Sequence, residues 1–304
     1  MSTFRLYRRW MTAAVRHVII LLMEVLSETL AAKRDRLIER LAKCGSCAVA
    51  FSGGVDSAVV AKAAQLALGD AAVVVTGTSA ALAEGELDEA RQLAQLIGVR
   101  HVVISTEEFA NPDYVANRAD RCYHCKSELY GRLDELAERL GVSTVVNGAN
   151  ADDAGDYRPG ARAASEHSVH SPLAECGFTK VDVRELAAHW ELPVADKPAT
   201  PCLSSRVAYG QEVTPERLQM VDRAEKFLRG LGIRELRVRY HADDTARIEV
   251  PAQELAELCQ PAKREAVVAE LRALGFKFVT LDLAGFRSGG FTALVPPEML
   301  KRFS

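Results

Sequence analysis

The 304-residue sequence lacks a surplus of basic residues. Its 38 Lys and Arg are outnumbered by 41 Asp and Glu, which gives a formal net charge of −3 and a pI of about 6.2. A general affinity for nucleic acids usually requires a basic surface, and these totals leave room for no more than a local basic patch. The composition therefore predicts no nucleic-acid partner.

Long apolar runs are missing as well. Residues 1–23 hold a basic stretch and then a short apolar run, Val18 to Met23, whereas a membrane-spanning helix needs ~20 apolar residues. Arg16 interrupts the apolar character, Glu24 follows directly, and no A-x-A cleavage site of a signal peptide comes next. We interpret residues 1–23 as an N-terminal extension, either translated upstream sequence or a loose helix, and expect no membrane segment.

Cysteine is also sparse. Seven cysteines in 304 residues are far fewer than a disulfide-stabilised scaffold carries, and their number is odd. With no secretion signal either, the sequence predicts a protein of the reducing cytoplasm. Its thiols are then available for packing, metal binding or catalysis.

Between residue 30 and about residue 170, helical and β-rich segments alternate. Short β-rich runs start at Ala48, Val73, Val102 and Thr144, and another is expected near Val169. Helical segments of about 10 to 15 residues separate them, a spacing that implies right-handed crossovers between parallel strands. The predicted fold class is α/β, with a doubly wound parallel sheet.

A different pattern follows Gly210 and predicts a smaller C-terminal α+β domain. Its predicted elements are a helix that begins at Thr214 and Pro215, a hairpin of strands 235–240 and 246–250, a helix at 253–274 and a strand at 278–283. The chain is thus expected to form two unlike domains.

The β-rich run at 48–51 leads into a glycine-containing loop, Ser52-Gly53-Gly54-Val55-Asp56-Ser57, and then a helix. Two glycines permit positive φ and a close backbone approach, so N–H groups and the helix N-terminus can face an anion. The loop lacks the end of a Walker A motif, and the chain contains no G-x-G-x-x-G, which argues against a P-loop NTPase and a Rossmann dehydrogenase. A tight turn without a ligand is the alternative interpretation.

Two more predicted strands end at the same edge of the sheet, where ligands of open α/β sheets bind. Thr76, at the end of the second strand, is a candidate to hold adenine through backbone groups. Asp152 and Asp153, after the fourth strand, are candidates for Mg²⁺, which prefers oxygen ligands shared with phosphates. An Asx-rich turn is the alternative for this acidic segment.

The cysteines include two C-x-x-C pairs. Cys44 and Cys47 precede the first strand and are expected at its amino end, which separates them from the second pair and argues against a shared zinc site. Cys122 and Cys125 follow the third strand, and Cys202 lies on the segment between the two predicted domains. Three thiolates that meet over a nucleotide suit either an iron–sulfur cluster with one open iron or a three-cysteine zinc site.

Five segments together resemble one known family. They are SGGVDS at 52–57, RCYHCK at 121–126, NGANADDAGDYRPG at 147–160, KPATPCLSSR at 197–206 and DLAGFRSGG at 282–290. The first resembles the PP-loop of ATP pyrophosphatases. The whole set, in a stretch from about residue 24 to the end, is similar to the ATP-dependent sacrificial sulfur transferases (LarE) of nickel-pincer nucleotide cofactor synthesis.

The resemblance implies a two-step reaction on pyridinium-3,5-dicarboxylate mononucleotide. A carboxylate attacks the α-phosphate of ATP with release of pyrophosphate, and sulfur then displaces AMP to leave a thiocarboxylate. In one branch of the family the cysteine that matches Cys202 gives up its own sulfur. In the other branch a C-x-x-C pair joins that cysteine to hold a four-iron four-sulfur cluster that passes on sulfide.

Because Cys122 and Cys125 are present, the resemblance implies the cluster branch. The expected cofactors are ATP, Mg²⁺ and a 4Fe-4S cluster, and the expected partners are the pyridinium mononucleotide, sulfide or another sulfur donor, and further copies of the chain in a homo-oligomer. The implied domains are an N-terminal extension (1–23), a PP-loop domain (24–206) and a substrate-binding and oligomerisation domain (207–304).

The resemblance also assigns roles to single residues. The pyrophosphate loop is matched by Ser52, Gly53, Gly54, Asp56 and Ser57, and the sulfur-handling position by Cys202. Plausible contacts for the substrate's phosphate and carboxylates, or for a metal, are Arg206, Arg237, Arg239, Arg247 and Glu249. Planar guanidinium groups suit phosphate and carboxylate, and a solvated charged face of the hairpin is the alternative.

Three rival functions remain open at this point. A PP-loop tRNA thiolase also couples ATP activation to sulfur transfer, but the acidic pI and the missing aromatic-basic surface motif disfavour it. An amide-forming synthetase would have no use for three cysteines at one edge of the sheet. A non-catalytic nucleotide sensor would bind ATP without releasing pyrophosphate, and the carboxylates of Asp152 and Asp153 favour chemistry instead.

Overall fold

Four parallel strands in the order β3-β2-β1-β4 form the central sheet, which confirms the predicted α/β class. The strands are β1 (Cys47–Ala50), β2 (Ala72–Thr78), β3 (Arg100–Ser105) and β4 (Thr144–Val146). In this computed structural model the described residues are 26–155, 159–198 and 200–286. The predicted N-terminal extension, 1–23, and the end of the second predicted domain, 287–304, lie outside the described residues.

Helices cover both faces of this sheet. They are α1 (Glu28–Ala42), α2 (Val55–Leu68), α3 (Glu86–Ile97), α4 (Pro112–Val115), α5 (Arg121–Leu140), α6 (Pro159–Glu166), α7 (Pro172–Glu175) and α8 (Lys180–His189). Cys47 and Val49 of β1 pack with α1, α2, α3 and α8 on one face, and Ala48 and Ala50 pack with α5 and α6 on the other. Because β1 is buried on both faces, its residues are all small or apolar. Across the described ranges, no helix is both long and apolar enough to cross a bilayer.

Two predicted elements of this half differ from the structure. The expected fifth strand near Val169 is a single parallel bridge between Val146 and His170, because Pro172 starts helix α7 shortly afterwards. The sequence pattern also predicts a helix from Ser127 to Leu140, and this helix, α5, begins earlier, at Arg121. The first turn contains Cys, Tyr and His, which have modest helix propensity, so the sequence does not indicate that the helix begins there. The second C-x-x-C pair, Cys122 and Cys125, therefore lies on a helix.

A smaller three-stranded sheet follows, in the order β5-β6-β7. Its elements are α9 (Pro215–Gly230), β5 (Arg237–His241), β6 (Thr245–Glu249), α10 (Leu255–Leu258), α11 (Pro261–Ala273) and β7 (Phe278–Leu281). The predicted hairpin is confirmed, because β5 and β6 pair antiparallel. The predicted helix start is also confirmed, since Thr214 Oγ1 accepts from Arg217 N–H at 3.3 Å. The single helix expected over 253–274 is wrong, because Pro261 cannot continue a helix and begins a new one.

The second sheet packs against the predicted PP-loop domain, 24–206. Its core contains Ala81, Tyr114 and Leu203 from that domain together with Tyr240 of β5. A main-chain hydrogen bond crosses the same junction, from Ala208 N–H to the Tyr240 carbonyl at 2.9 Å. The predicted division after residue 206 therefore falls inside a packed junction, and as a domain boundary it stays a prediction.

Asn117 holds the connector between the two sheets. The residue is fully buried and has φ +50. Its side-chain amide donates to the carbonyls of Val207, Ala208 and Gln211 at 3.2, 2.9 and 3.0 Å. Its Oδ1 accepts from Arg121 Nη1 at 2.8 Å. One buried side chain thus satisfies three connector carbonyls and a buried guanidinium.

Asn117→Ala is expected to lower the free energy of unfolding by about 3 kcal/mol, because buried polar groups lose their partner and alanine disfavours positive φ. Urea unfolding measures the change. Asn111→Ala is the matched control, since Asn111 caps α4 with one hydrogen bond from Asp113 N–H at 2.9 Å, and it is expected to cost about 1 kcal/mol. Equal losses in the two variants would contradict this role of Asn117.

Candidate active site

The loop after β1 is folded around its own hydroxyl groups. Ser57 Oγ donates to the Gly54 carbonyl at 3.0 Å and accepts from Ser52 N–H at 3.3 Å, and Ser52 Oγ lies 3.2 Å from Ser57 Oγ. Gly53 has φ +70, which favours glycine, and a Cβ on it would lie 3.4 Å from Ala90 Cβ. The turn into α2 therefore consists of main chain and small hydroxyl side chains.

The two loop glycines have different roles. Gly53 supplies the positive φ that the sequence predicted, but Gly54 has φ −80 and is the N-cap residue of α2. Gly54 therefore does not use the positive φ that glycine permits. Gly54 lines the cavity described next, so a larger side chain there would take space from a ligand.

A cavity of about 270 Å³ opens at this loop. Its walls combine the loop, the starts of α3 and α8 and the segment before Cys202, and they consist of Ser52, Gly54, Val55, Asp56, Glu86, Lys180, Arg184, Lys197, Pro198, Thr200 and Pro201. The first turn of α2 carries N–H groups without helical partners, and three cationic side chains line the same space. The cavity is therefore suited to a polyphosphate.

Sequence reasoning missed the three cations of the cavity, Lys180, Arg184 and Lys197. Thr179 and Asp182 form a capping box at the start of α8, so the pattern Thr-x-x-Asp does mark the helix that carries Lys180. That pattern does not reveal which loop the helix faces, because α8 reaches the cavity through tertiary packing.

The three predicted carboxylates have different surroundings. Asp56 lines the cavity, and its Oδ1 accepts from Asn150 Nδ2 at 3.0 Å while its Oδ2 accepts from Lys180 Nζ. Asp153 Oδ2 accepts from Asn150 N–H at 3.0 Å, and Asp152 Oδ2 accepts from Lys180 N–H at 2.7 Å. The cavity walls, within the described residues, do not include Asp152 or Asp153. The Asp153 bond lies within its own segment, as the Asx-turn alternative predicts, whereas the Asp152 carboxylate caps the start of α8.

Glu86 is the second carboxylate on the cavity wall, and sequence reasoning missed it. Burial raises the pKa of Glu86, although a hydrogen bond from the backbone of Ala83 and the charges of Lys197 and Arg206 act against the rise. The carboxylate oxygens of Asp56 and Glu86 are the donor type that Mg²⁺ shares with phosphates. Asp56 and Glu86 are thus the carboxylates on the cavity wall, and the Mg²⁺ contact of Asp152 and Asp153 stays a prediction.

The side chain of Thr76 forms hydrogen bonds within the central sheet. It lies inside β2, which continues to Thr78, and it is buried. Its hydroxyl donates to the Phe51 carbonyl at 2.8 Å and lies 2.8 Å from His101 Nε2. Thr76 thus ties β2 to β1, and the adenine contact assigned to it stays a prediction that concerns its backbone alone.

Gly148 lets the segment after β4 contact the PP-loop. A Cβ on Gly148 would lie 2.8 Å from Ser57 N, closer than real Cβ atoms approach other atoms. The loops after β1 and β4 therefore meet backbone to backbone at the place where the strand order reverses. Asn147-Gly148 is a recognisable turn signal, but its neighbour is not visible in the sequence.

The three predicted sulfur-handling cysteines lie in one neighbourhood. Burial raises the pKa of Cys125 to about 12, the thiol of Cys202 and, more weakly, that of Cys122 add to the rise, and Lys126 acts against it. Cys122 and Cys202 are exposed. Arg121 Nη2 donates to Cys122 Sγ at 3.8 Å. The structure thus brings together thiols from α5 and from the segment between the sheets.

No three side chains of His, Cys, Asp or Glu within the described part of the chain are close enough to bind a metal ion. The donor set itself fits, because iron–sulfur clusters take cysteine ligands and the cations Arg121 and Lys126 lie beside these thiols. Cys47, by contrast, is the buried first residue of β1 and lies at the amino end of the sheet, as predicted.

Arg206 is a structural clamp. It is 1% exposed, and its guanidinium donates to the carbonyls of Pro201 and Cys202, the latter at 3.0 Å. Its Nε donates to Glu225 Oε1 at 3.1 Å. Because the guanidinium is enclosed, Arg206 positions the segment of Cys202, and its contact with substrate stays a prediction. The ion pair fixes the Cys202 segment to α9.

The predicted residues of the hairpin share one face, as alternation indicates. Arg237 is opposite Glu249, and Arg239 is opposite Arg247. Glu249 is 3% exposed and accepts from Arg239 Nη2 at 2.9 Å and from Arg247 Nη2 at 2.8 Å, so it is engaged in ion pairs. Arg239 Nη1 also donates to the Ser205 carbonyl at 3.0 Å, which places this face against the loop between the sheets.

Several arginine side chains lie near one another at this face. Burial lowers the pKa of Arg237 to about 10, and the charges of Arg206, Arg239 and Arg229 lower it further, while Glu225 acts against them. Like charges this close destabilise one another until an anion binds among them. The arginine face is therefore suited to a phosphate or carboxylate ligand.

Comparison with known proteins agrees with this geometry. Residues 34–143 match the family model described as asparagine synthase. The chain is 38% identical over 278 residues to pyridinium-3,5-bisthiocarboxylic acid mononucleotide synthase of Lactiplantibacillus plantarum, an alignment that covers 91% of this chain and 99% of that protein. It is 45% identical over 260 residues to an uncharacterized protein of Synechocystis sp., which covers 86% and 97%. A tRNA-specific 2-thiouridylase of Rickettsia rickettsii is 28% identical over 195 residues, which covers 52% and 53%.

The parallel sheet, the glycine loop at its carboxyl edge and the cationic cavity define a PP-loop enzyme of the ATP pyrophosphatase type. Such a loop is shared by enzymes that act on many substrates. Since the similarity to the L. plantarum synthase extends over almost the whole of both chains, the protein belongs to the LarE family and is an ATP-dependent sulfur-transferring enzyme.

Gly148→Ala is expected to weaken ATP binding about 10- to 100-fold, because the added Cβ would push the segment after β4 away from the PP-loop. Calorimetric titration with ATP measures the affinity. Gly230→Ala is the matched control, since a Cβ there meets nothing within 4 Å, and it should bind ATP as the wild type does. Undiminished affinity in the Gly148 variant would show that this contact does not support the site.

Proposed function

We propose that the protein activates a carboxylate of pyridinium-3,5-dicarboxylate mononucleotide with ATP and converts it into a thiocarboxylate, a step of nickel-pincer nucleotide cofactor synthesis. The observation that carries the proposal is that Pro201, the neighbour of Cys202, lines the same cavity as Ser52 and Gly54 of the PP-loop. An adenylate formed at the loop would arise beside the cysteine assigned to sulfur transfer. The name of the similar L. plantarum synthase describes such a thiocarboxylic acid product.

Two bond exchanges make up the proposed reaction. A carboxylate oxygen attacks the α-phosphorus, and pyrophosphate leaves with the bonding electron pair. Sulfur then attacks the acyl carbon, and AMP leaves. In the first exchange the chain acts electrostatically, because the N–H groups at the start of α2, with Lys180 and Arg184, stabilise the charge that pyrophosphate gains. Asp56 and Glu86 would hold Mg²⁺, whose charge offsets that of the triphosphate.

We assign the substrate's phosphate and carboxylates to the arginine face of the β5-β6 hairpin. Arg237 and Arg247 are half-buried, and Arg247 pairs with Glu249 and Asp282, so we assign both to binding through exchange of such partners. Arg239 is 7% exposed and pairs with Glu249, and we assign it to positioning. Rigid guanidinium forks suit a substrate that carries several planar carboxylates and a phosphate.

Cys202 is the proposed sulfur-handling residue, with Cys122 and Cys125 as its partners in holding a four-iron four-sulfur cluster. When bound, such a cluster would supply sulfide at an iron that lacks a cysteine ligand. The cationic side chains of Arg121 and Lys126 lie beside these thiols and would offset the negative charge that three thiolates bring to a bound cluster. Direct donation of sulfur from Cys202 is the alternative that the family offers.

Assembly and location follow as further proposals. All seven cysteines are free, which supports a reducing cytoplasm as the place of action. A homo-oligomer held together through residues 207–304 stays a prediction. Thiolation of tRNA is disfavoured, because the similar thiouridylase aligns with about half of this chain and the net charge is negative.

Labelled ATP is expected to yield AMP and pyrophosphate when the pyridinium mononucleotide is present, because the loop lacks the Walker lysine and holds a leaving pyrophosphate. Chromatography of α- and γ-labelled products measures the cleavage site. A tRNA preparation should leave turnover unchanged. ADP and orthophosphate as products, or turnover that requires tRNA, would contradict the proposed reaction.

Three single substitutions, Cys122→Ser, Cys125→Ser and Cys202→Ser, are each expected to remove iron, visible cluster absorption and repeated sulfur transfer together. The reason is that each thiolate would hold one iron of the cluster. Iron analysis and product assays on anaerobically purified protein measure these losses. Cys259→Ser is the matched control, since Cys259 is an exposed thiol outside this neighbourhood, and it should retain all three properties.

A specific result would reject the cluster. Iron-free wild-type protein that completes one turnover and loses the mass of one sulfur at Cys202 would make Cys202 the donor. Cys122 and Cys125 would then be bystanders.

A further inference from the structure

A lysine at the start of helix α8 forms an ion pair with Asp56, the carboxylate of the PP-loop. Lys180, the first residue of α8, pairs through its ammonium with Asp56 Oδ2, and its main-chain N–H donates to Asp152 Oδ2 at 2.7 Å. Asn150 Nδ2 donates to the other oxygen, Asp56 Oδ1, at 3.0 Å. Both oxygens of a carboxylate that we assign to Mg²⁺ are thus bonded to protein groups.

The Lys180–Asp56 pair lies at the cavity and not in the core. The two side chains are 35% and 25% exposed, and both residues line the cavity wall. Water and ions reach such a pair, so its attraction is screened and its partners exchange at small cost. A buried pair would resist that exchange, because each charge would have to be left unpaired in a medium of low polarity.

The other two cations of the cavity are held differently. Arg184 donates to the carbonyls of Ala195 and Lys197 at 2.6 and 2.9 Å, so it shapes the segment that leads to Cys202. Lys197 Nζ pairs with Glu89 at 2.6 Å, and Glu89 is not part of the cavity wall. Of these three cations, Lys180 is the one whose described ion pair involves Asp56 of the PP-loop.

We propose that Lys180 changes partner when magnesium nucleotide binds. Mg²⁺ takes the Asp56 carboxylate, and the released ammonium binds the β- and γ-phosphates of ATP. Each charge keeps an opposite neighbour, because a cation replaces a cation at Asp56 and a phosphate replaces a carboxylate at Lys180. Lys180 therefore positions the leaving pyrophosphate and, without nucleotide, keeps Asp56 from binding metal. The inference rests on the proposed function.

Calorimetric titration of the full chain with ATP and with AMP, in the presence of Mg²⁺, tests the exchange. Lys180→Met is expected to weaken ATP binding about 10- to 100-fold, since it loses a charged hydrogen bond. AMP lacks the two outer phosphates, so its binding should not change. Lys180→Arg keeps the charge and should retain most of the ATP affinity. If Lys180→Met does not fold, Lys180→Gln takes its place.

Lys33→Met is the matched control. Lys33 also pairs with a carboxylate on α8, Asp182, at 2.7 Å, but it does not line the cavity. Loss of this ion pair should leave the affinity for ATP as in the wild type. An equal loss in both variants would mean that ATP binding follows the anchoring of α8, and it would overturn the role of Lys180.

Binding of Mn²⁺ without nucleotide, measured by electron paramagnetic resonance, is a readout independent of turnover. Lys180→Met should bind Mn²⁺ more tightly than the wild type, because the Asp56 carboxylate is no longer paired with an ammonium. Unchanged Mn²⁺ affinity, or unchanged ATP affinity, in this variant would overturn the exchange and leave the proposed function standing. A wild-type protein that binds neither ATP nor AMP would overturn both.

Discussion

Backbone contact between the loops after β1 and β4 is the constraint on which the site depends. Gly148 permits it, since any side chain there would collide with the main chain of Ser57. The contact brings Asn150 within hydrogen-bond distance of Asp56, and Lys180 follows at the start of α8. The phosphate loop, its carboxylate and the cavity cations are thus held together at the carboxyl edge of one parallel sheet, where the strand order reverses.

Buried charge fixes the other half of the site. Arg206 is paired with Glu225 and clamps the carbonyls beside Cys202, while Arg121 donates to the Ser204 carbonyl at 2.6 Å. Such groups are costly to bury, and a buried pair contributes less to stability than to a defined geometry. The segment of Cys202 is therefore held between the two sheets, beside the cavity in which we propose that the adenylate forms.

The fold was largely predictable because its signals are local. The buried runs of the parallel strands, the helix start at Thr214 and the alternation of the hairpin all depend on residues close in sequence. The errors lie where the local signal is weak or interrupted. The first turn of α5 contains Cys, Tyr and His, which have modest helix propensity. Pro172 and Pro261 each begin a new helix and so end the predicted strand near Val169 and the predicted helix over 253–274.

The sequence by itself determined the phosphate loop, the shared face of Arg237 and Arg239 and the separation of Cys47 from the later cysteines, because each follows from spacing and strand direction. Tertiary structure decided which charges are enclosed and which line the cavity. Arg206 is a residue type that suits a substrate contact, but it is buried against α9. Lys180 belongs to no recognised motif, but it forms an ion pair with Asp56. Partners far apart in sequence meet through packing, and residue spacing does not encode such contacts.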